Sequence, residues 1–443
     1  MKKKRTQKQR TKSFDLAVIG AGYVGLVSAA CFAELGKRVL LIDRKKNRVE
    51  RLKRGITPFY EPGLSEIVVR NTKSGRLVFT NSIADASEKT QMLVIAVGTP
   101  TLLNGNVDMR DYWGVIEEIV KNMKGYKIVV DKSTVPIGTA RKAYKHIARY
   151  HGDNADVVSF PEFLREGNAI QDFMKPDRLV VGTDSKRAEK HMRNLLLPIR
   201  VKKVFCGLET AEMVKYASNA FLATKISFIN EIANIAEAVG ANVDEVAYGM
   251  GLDKRIGKSF LKAGIGYGGS CFPKDVKALK HIAGNHRYSF KLLRAVIQVN
   301  ADQRKLVLTK LQEQLGRLKG KTITVLGLAF KNNTDDVRES ASIDIIKQLL
   351  QKGAKVVAFD PLAEENTRKI LTQEGDLVYC DTPEQALLKA DAAVIATEWD
   401  SFKRLDWKAL RSTMTTPFVV DGRNILNPDA MKKFGFTYIG IGK

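Results

Sequence analysis

The chain has 443 residues, 44% hydrophobic and 27% charged, with 12 prolines and 34 glycines. These proportions exclude a disordered or fibrous chain and suit about three globular domains whose cores need neither disulfide nor metal. Lys plus Arg number 73 against 48 Asp plus Glu, a net charge of +25 that draws polyanions: nucleic acid, an anionic membrane face or phosphorylated small molecules.

Residues 1–12 carry seven positive charges (Lys2, Lys3, Lys4, Arg5, Lys8, Arg10, Lys12), no acid and no apolar periodicity. They read as a basic, mobile leader. Residues 16–33 then contain no charge, which imitates a signal peptide or a short membrane span. Asp15 interrupts the junction, glycines punctuate the stretch, and a second strand-like segment follows at residues 38–42. A buried strand, turn and helix accounts for all three.

That strand is Leu16-Ala17-Val18-Ile19. It runs into Gly20-Ala21-Gly22-Tyr23-Val24-Gly25 and a helix to Leu35 that Gly36 stops, then into Val39-Leu40-Leu41-Ile42 closed by Asp43. A lone G-x-G-x-x-G is weak, but between a strand and a helix, with an acid 18 residues on, it reads as a dinucleotide fingerprint. Gly20 permits the turn, Gly22 lets the backbone approach the pyrophosphate, and Gly25 lets the helix pack on the strand. Asp43 would bind the ribose hydroxyls and repel a 2′-phosphate, favouring NAD over NADP, although Arg44, Lys45, Lys46 and Arg48 could tolerate a phosphate. Glycines used only for packing are the alternative. Two further strands, residues 92–97 and 127–130, end in Gly98-Thr99-Pro100-Thr101 and Lys132-Ser133-Thr134-Val135-Pro136. Small polar residues at such strand ends are where ligands sit in doubly wound sheets.

Residues 210–239 read as one helix without proline or glycine, with Met213, Tyr216, Ala220, Ala223, Phe228, Ile232 and Ile235 at three- and four-residue steps. At 1.5 Å per residue it spans roughly 45 Å, enough to bridge two domains. Lys215 and Asn219 share one face and, taken alone, read as solvated. Residues 260–275 hold four glycines within six positions, ending at Cys271 beside Lys274 and Asp275. This predicts a flexible loop that wraps a ligand and presents a reactive thiolate. Cys31, Cys206 and Cys380 lie in apolar or strand contexts and read as inert. No C-x-x-C pair or Cys/His cluster occurs, so no metal site is expected and a reduced, cytoplasmic setting is the default.

Near residue 320 the pattern restarts. Residues 322–329 match the first strand and turn, 355–360 match the segment ending at Asp43, 391–397 match 91–99, and 417–422 match 127–132. The repeat predicts an α/β fold with two Rossmann-like doubly wound domains joined by a helical domain with a long central helix. The second copy lacks the full fingerprint. Gly327-Leu328-Ala329-Phe330-Lys331 and residues 335–340 replace it, which suggests a second nucleotide held partly by ion pairs. A purely structural second domain is the alternative.

These residues together resemble the UDP-glucose/GDP-mannose dehydrogenase family. The carrying motifs are Gly20–Gly25, residues 97–101, Ser133-Thr134-Val135-Pro136, Pro161-Glu162-Phe163-Leu164-Arg165-Glu166-Gly167, residues 268–275 and Asp421-Gly422-Arg423. The likeness runs from Phe14 to the end; the leader is outside it. The resemblance implies a four-electron oxidation of the C6 hydroxyl of UDP-glucose to a carboxylate, with two NAD+ reduced. It implies Cys271 as the nucleophile, forming a thiohemiacetal and then a thioester. Lys215, Asn219 and Asp275 would serve proton transfer and the oxyanion, and Glu166 and Thr134 the hydrolytic water. Glu162, Phe163, Leu164, Arg165, Glu166, Phe260, Leu261, Lys262, Ala263, Gly264, Gly268, Lys331 and Arg423 would contact the sugar nucleotide, as would Lys215 and Asn219. Gly20, Gly22, Tyr23, Val24, Gly25, Asp43, Arg48, Thr99, Thr134, Glu166, Lys274 and Arg338 would contact NAD. Arg255 would reach a neighbouring subunit's site, which implies a homodimer or higher homo-oligomer.

The expected division is a leader (1–12), an NAD-binding domain (13–205), a helical linker and dimerisation domain with the cysteine loop (206–305) and a UDP-sugar domain (306–443). The implied setting is cytoplasmic UDP-glucuronate supply for polysaccharide synthesis, with no nucleic-acid partner and no membrane span. The nearest rival keeps the chemistry and changes the substrate to UDP-N-acetylmannosamine or GDP-mannose. A rival of another class is a non-enzymatic, basic NAD-sensing or nucleic-acid-binding protein, which leaves Cys271 without a role.

Overall fold

The computed structural model describes residues 14–102, 105–372 and 375–443. The basic leader lies outside the described residues. Two compact units divide between Ala217 and Ser218, inside a single helix, Leu208–Val239, of 32 residues.

The first unit is built on eight strands: β1 (Leu16–Ile19), β2 (Val39–Ile42), β3 (Leu77–Thr80), β4 (Met92–Ile95), β5 (Lys127–Asp131), β6 (Ala155–Ser159), β7 (Leu179–Gly182) and β8 (Lys203–Cys206). Their order is β3-β2-β1-β4-β5-β6-β7-β8, with every pairing parallel except β6 to β7. The chain reverses direction across the sheet between β1 and β4, the crevice where doubly wound folds bind nucleotides. β1, β2 and β4 are fully buried, which is why they read as unbroken apolar runs. Alternate side chains feed separate cores on the two faces. Val18 and Leu41 pack with the helix Tyr23–Glu34, and Ala17 and Ile19 pack with Tyr112 and Ile116. The uncharged stretch at residues 16–33 is thus a strand, a turn and a buried helix. No helix among the described residues is long and apolar enough to cross a membrane.

The second unit repeats the plan with β9 (Thr322–Leu326), β10 (Lys355–Phe359), β11 (Leu377–Tyr379), β12 (Ala392–Ile395), β13 (Phe418–Asp421) and β14 (Thr437–Ile439). Their order, β11-β10-β9-β12-β13-β14, is parallel throughout. The expected pair of doubly wound sheets is therefore present. Strands β3, β6, β7, β8, β11 and β14 go beyond the sequence reading. Most flank the sheets, where short, part-exposed segments lack the apolar run that marks a central strand.

Candidate functional site

In the first unit the glycine turn separates fold from ligand. Gly20 has φ +105°, its N–H donates to Ile42 O at 2.8 Å, and a Cβ there would meet Ala96 O at 2.7 Å. A Cβ on Gly25 would fall 1.8 Å from Gly20 O, whereas one on Gly22 meets nothing within 4 Å. The first and third glycines are demanded by packing. The second faces open space at the start of the helix Tyr23–Glu34, and half-buried Val24 lies in that helix's first turn. That cradle fits a pyrophosphate on helix amides.

Asp43 closes β2 and is buried; its Oδ2 accepts from Ala21 N at 2.9 Å and Arg48 Nη1 at 3.0 Å, and its Oδ1 from Lys45 N at 2.9 Å. A carboxylate has about four lone-pair sites, so one acceptor position remains for a ribose hydroxyl. Arg48, read as a residue that could invite a phosphate, is instead paired with Asp43. At the ends of β4 and β5, Thr99 Oγ1 donates to Thr134 O and Ser133 Oγ to Val97 O, both at 2.8 Å.

The loop after β6 carries a buried ion pair. Glu162 Oε1 takes Lys215 Nζ at 2.8 Å, and its Oε2 takes Leu164 N at 2.6 Å. Burial opposes the charge on Glu162, but Lys215, the Leu164 amide and Lys132 outweigh it and hold this carboxyl below its usual range. Burial pushes the Lys132 ammonium, over the Phe160 ring, down to about 8. The Phe163 ring lies under Arg178 at 4.0 Å and 5.5 Å from Lys215 Nζ. Glu166 is buried, whereas Arg165 is exposed and held at both ends by Asp172.

The reading of Lys215 and Asn219 as a solvated face is overturned: they are 4% and 6% exposed. Their shared face buries against polar partners, which periodicity of apolar residues cannot reveal.

In the second unit, Cys271 begins the helix Phe272–Asn285 and is part-exposed. Asp275 N donates to Cys271 O at 2.9 Å, one helical turn on. The Asp275 carboxylate, 1% exposed, accepts from Asn219 Nδ2 at 2.6 Å and Lys274 Nζ at 2.5 Å. A thiol at a helix N-terminus gains thiolate stability from the peptide dipoles. Burial lifts the Cys31 thiol to about 12 and raises those of Cys206 and Cys380, in line with their reading as inert. Among the described residues no group of three or more His, Cys, Asp or Glu could hold a metal.

The glycine loop differs from its expected flexibility. Residues 263–269 are buried and pinned. Gly264 N donates to Asn230 Oδ1, Ile265 N to Gly422 O, Tyr267 N to Asn300 Oδ1 and Gly269 N to Arg338 O. A Cβ on Gly268 would stand 2.3 Å from Glu339 O. Glycine serves close packing between backbones here, because no other residue lets two main chains approach so far. Leu261 and Ala263 are buried, Lys262 is exposed, and Phe260 holds φ +65°.

Arg423 spends its guanidinium on Ala396 O, Gly266 O and Phe330 O, tying the loop to the ends of the second sheet. Lys331 lies beside the Phe330 ring. Arg255 and Arg338 are exposed and each is paired with an aspartate two positions earlier.

Sequence reasoning missed Arg304, whose Nη2 donates to Tyr267 O at 2.9 Å and Glu339 O at 3.0 Å. It also missed Asn230, Asn300 and Glu61. Isolated polar residues in helices and loops carry no local signal of burial.

Three profiles of the UDP-glucose/GDP-mannose dehydrogenase family match the chain: the NAD binding domain over residues 14–200, the central domain over 209–302 and the UDP binding domain over 324–428. The chain is 46% identical to the UDP-glucose 6-dehydrogenase TuaD of Bacillus subtilis, over 97% of this chain and 93% of that one. It is 46% identical to a UDP-glucose 6-dehydrogenase of Rhizobium meliloti, over 97% and 99%. Among solved structures, a UDP-glucose dehydrogenase from Pyrobaculum islandicum superposes with a TM-score of 0.91 at 38% identity, covering 98% of this chain and 99% of that one. A UDP-D-ManNAc dehydrogenase from Pyrococcus horikoshii follows at 0.85 and 26%, covering 97% and 99%. With the cradle at Gly22, the Cys271 helix and most strands of both sheets falling inside the matched regions, the chain belongs to the UDP-glucose/GDP-mannose dehydrogenase family.

Proposed function

We propose that the chain oxidises UDP-glucose to UDP-glucuronate with two NAD+ reduced. The observation that carries this reading is the part-exposed Cys271 at a helix N-terminus, one turn from the buried Asp275–Asn219 pair. The names of the relatives at 46% identity support the choice of sugar. Gly20, Gly22, Gly25, Asp43, Thr99 and Thr134 would seat NAD+, which would supply the hydride acceptor for each oxidation.

Alcohol oxidation requires loss of the hydroxyl proton and of one hydride from C6; the Asp275 carboxylate accepts the proton, and Asn219 and Lys215 donate to the oxygen and stabilise its charge. The Cys271 thiolate adds to the resulting aldehyde, so the reactive intermediate is held covalently. Loss of the second hydride from that thiohemiacetal leaves a thioester. Water, oriented by Glu166 and Thr134, cleaves the C–S bond, releasing the acid and the thiolate. Sulfur suits both steps because it attacks readily and leaves readily. Glu162 orients Lys215 through their buried 2.8 Å ion pair.

In this reading residues 13–205 bind NAD, 206–305 form the helical connector and 306–443 bind the UDP-sugar, with Lys331 and Arg423 on that side and Lys274 and Arg338 toward NAD. The setting is cytoplasmic. The helix Leu208–Val239 exposes Phe221, Phe228 and Ile235 at seven-residue spacing, 65%, 49% and 58% accessible. This stripe supports a homodimer, with Arg255 reaching the partner's site.

The decisive measurement is NADH formation at 340 nm with UDP-glucose, UDP-N-acetylmannosamine and GDP-mannose in parallel. UDP-glucose is expected to be turned over at least ~10-fold faster than either, the discrimination a sugar pocket gains from hydrogen bonds to hydroxyls. Cys271→Ala should abolish acid formation while retaining NAD+ and UDP-glucose binding. Cys271→Ser, a poorer nucleophile and leaving group, should accumulate a covalent sugar-nucleotide ester visible by intact-protein mass spectrometry. Near-wild-type turnover in both variants would show that Cys271 only packs against the glycine loop.

A further inference from the structure

Glu61 has no part in the chemistry described so far, yet it is 5% exposed and among the most heavily used carboxylates of the first unit. It stands in the Tyr60-Glu61-Pro62-Gly63 segment ahead of the helix Leu64–Lys73. Its Oε2 accepts from the Tyr23 hydroxyl and from Gly167 N at 2.6 Å, and its Oε1 accepts from Ala169 N at 2.7 Å. These donors lie 38, 106 and 108 positions away along the chain. Tyr23 belongs to the glycine turn proposed to seat NAD. Gly167 and Ala169 bracket the step from the loop carrying Glu162 and Glu166 into the helix Ala169–Met174.

A buried carboxylate is costly unless every lone pair facing the interior is met, so its partners are held together strongly. The Tyr23 ring is fixed from its other side by Phe59, with centroids 4.8 Å apart. Burial first, then Glu61, pushes the Tyr23 hydroxyl far above its ordinary range, and the Glu166 charge adds to the shift. Tyr23 therefore stays a donor, and Glu166 lies close enough for its charge to be felt there.

We propose that Glu61 is a positioning residue that locks the dinucleotide turn to the loop carrying Glu166, so that NAD binding and thioester hydrolysis depend on one carboxylate. This inference rests on the proposed function above. Glu61 touches no reacting atom. It fixes Tyr23 against the pyrophosphate cradle and Gly167 behind Glu166, so loosening either end loosens the other.

Glu61→Gln keeps the shape but replaces an acceptor oxygen by an NH2 that faces donors. With UDP-glucose and NAD+, this variant should show a KM for NAD+ raised about tenfold, the loss expected for one broken buried hydrogen bond. It should also accumulate the thioester on Cys271, seen as a mass adduct absent from wild type. Tyr23→Phe cuts only the turn's side of the link and leaves Gly167 and Ala169 bonded. It should also produce the adduct, and the double variant should be no worse than Glu61→Gln alone. A lower melting temperature in Glu61→Gln with unchanged KM for NAD+ and no adduct would overturn the proposal, and so would multiplying effects in the double variant. If Glu61→Gln does not fold, Tyr23→Phe decides: adduct supports the lock, and its absence refutes it. Wild type run alongside separates the two readings. No NADH from wild type refutes the function, whereas normal wild-type turnover with normal variants refutes only the role of Glu61.

Discussion

The two sheets share strand order over six strands and differ in what their first turns leave open. In the first, Asp43 receives three donors and keeps one acceptor position free, and Gly22 faces open space. In the second, Asp360 holds the matching place at the end of β10, but Leu328 N, Ala329 N, Leu362 N, Ala363 N and Trp399 Nε1 all donate to it. Five donors saturate a carboxylate. Gly327 keeps the positive φ of +98° and the close approach to Thr397 seen at Gly20 and Ala96. The later glycines of the turn are gone, and Ser342 Oγ bonds back to Leu328 O at 2.7 Å. The difference teaches that an acid at the end of the second strand first caps its own turn, and only unfilled lone pairs make it a ribose ligand. The second sheet is therefore no second dinucleotide site, in keeping with the UDP binding domain matched there.

The largest effect is expected from breaking the turn that this comparison rests on. Gly25→Ala places a Cβ 1.8 Å from Gly20 O, and should cost ~3 kcal/mol or more together with NAD binding. Gly22→Ala has room for its methyl in the free protein. Its stability should change by about 1 kcal/mol or less, while NAD+ affinity falls at least ~10-fold, because the methyl occupies the pyrophosphate's place. Calorimetry with and without NAD+ separates the two. Equal destabilisation by both would mean that Gly22 is structural.

The paired acids sharpen the comparison next. Asp360→Ala strands five buried donors and should lower stability by ~3 kcal/mol with the KM for NAD+ unchanged. Asp43→Ala should cost ~1 kcal/mol, raise that KM and narrow the preference for NAD+ over NADP+. If wild type uses NADP+ equally well, Arg44 to Arg48 govern the site instead.

The smallest effect is a pH slope confined to the first unit. Asp131, fully enclosed at the end of β5, has its carboxyl pushed up to about 8 by burial, with Glu212 adding to the rise. Glu212 itself is raised to about 7, again by burial. Both groups hold protons in the folded chain that the unfolded chain releases above ~4. Their contribution is thus complete at low pH and is lost as pH rises through 7 to 8. Asp131→Asn should flatten the fall in melting temperature between pH 6 and 8. An unchanged slope would show that Asp131 is ionised in the fold. In the second sheet the matching β13 residue, Asp421, is met by Arg423 N, Ile425 N, Leu426 N and the Tyr438 hydroxyl.

Much of this was legible along the chain because it is written in adjacent residues. Four-residue apolar runs gave the central strands, a glycine turn between strand and helix gave the proposed nucleotide seat, and a cysteine after a glycine cluster gave the proposed nucleophile. The recurrence of strand endings gave the doubled architecture. These patterns are local, and local spacing dictates backbone geometry directly. Tertiary structure alone decided the rest. Lys215 and Asn219 are buried because Glu162 and Asp275, 53 and 56 positions away, meet them there. The glycine loop is rigid because Asn230, Asn300, Arg304 and Arg423 reach it from distant elements. Asp43 and Asp360 look alike in sequence, and only the count of donors around each separates the proposed ribose ligand from a cap. Burial and hydrogen-bond satisfaction belong to pairs of residues brought together by the fold, so no single stretch of sequence can carry them.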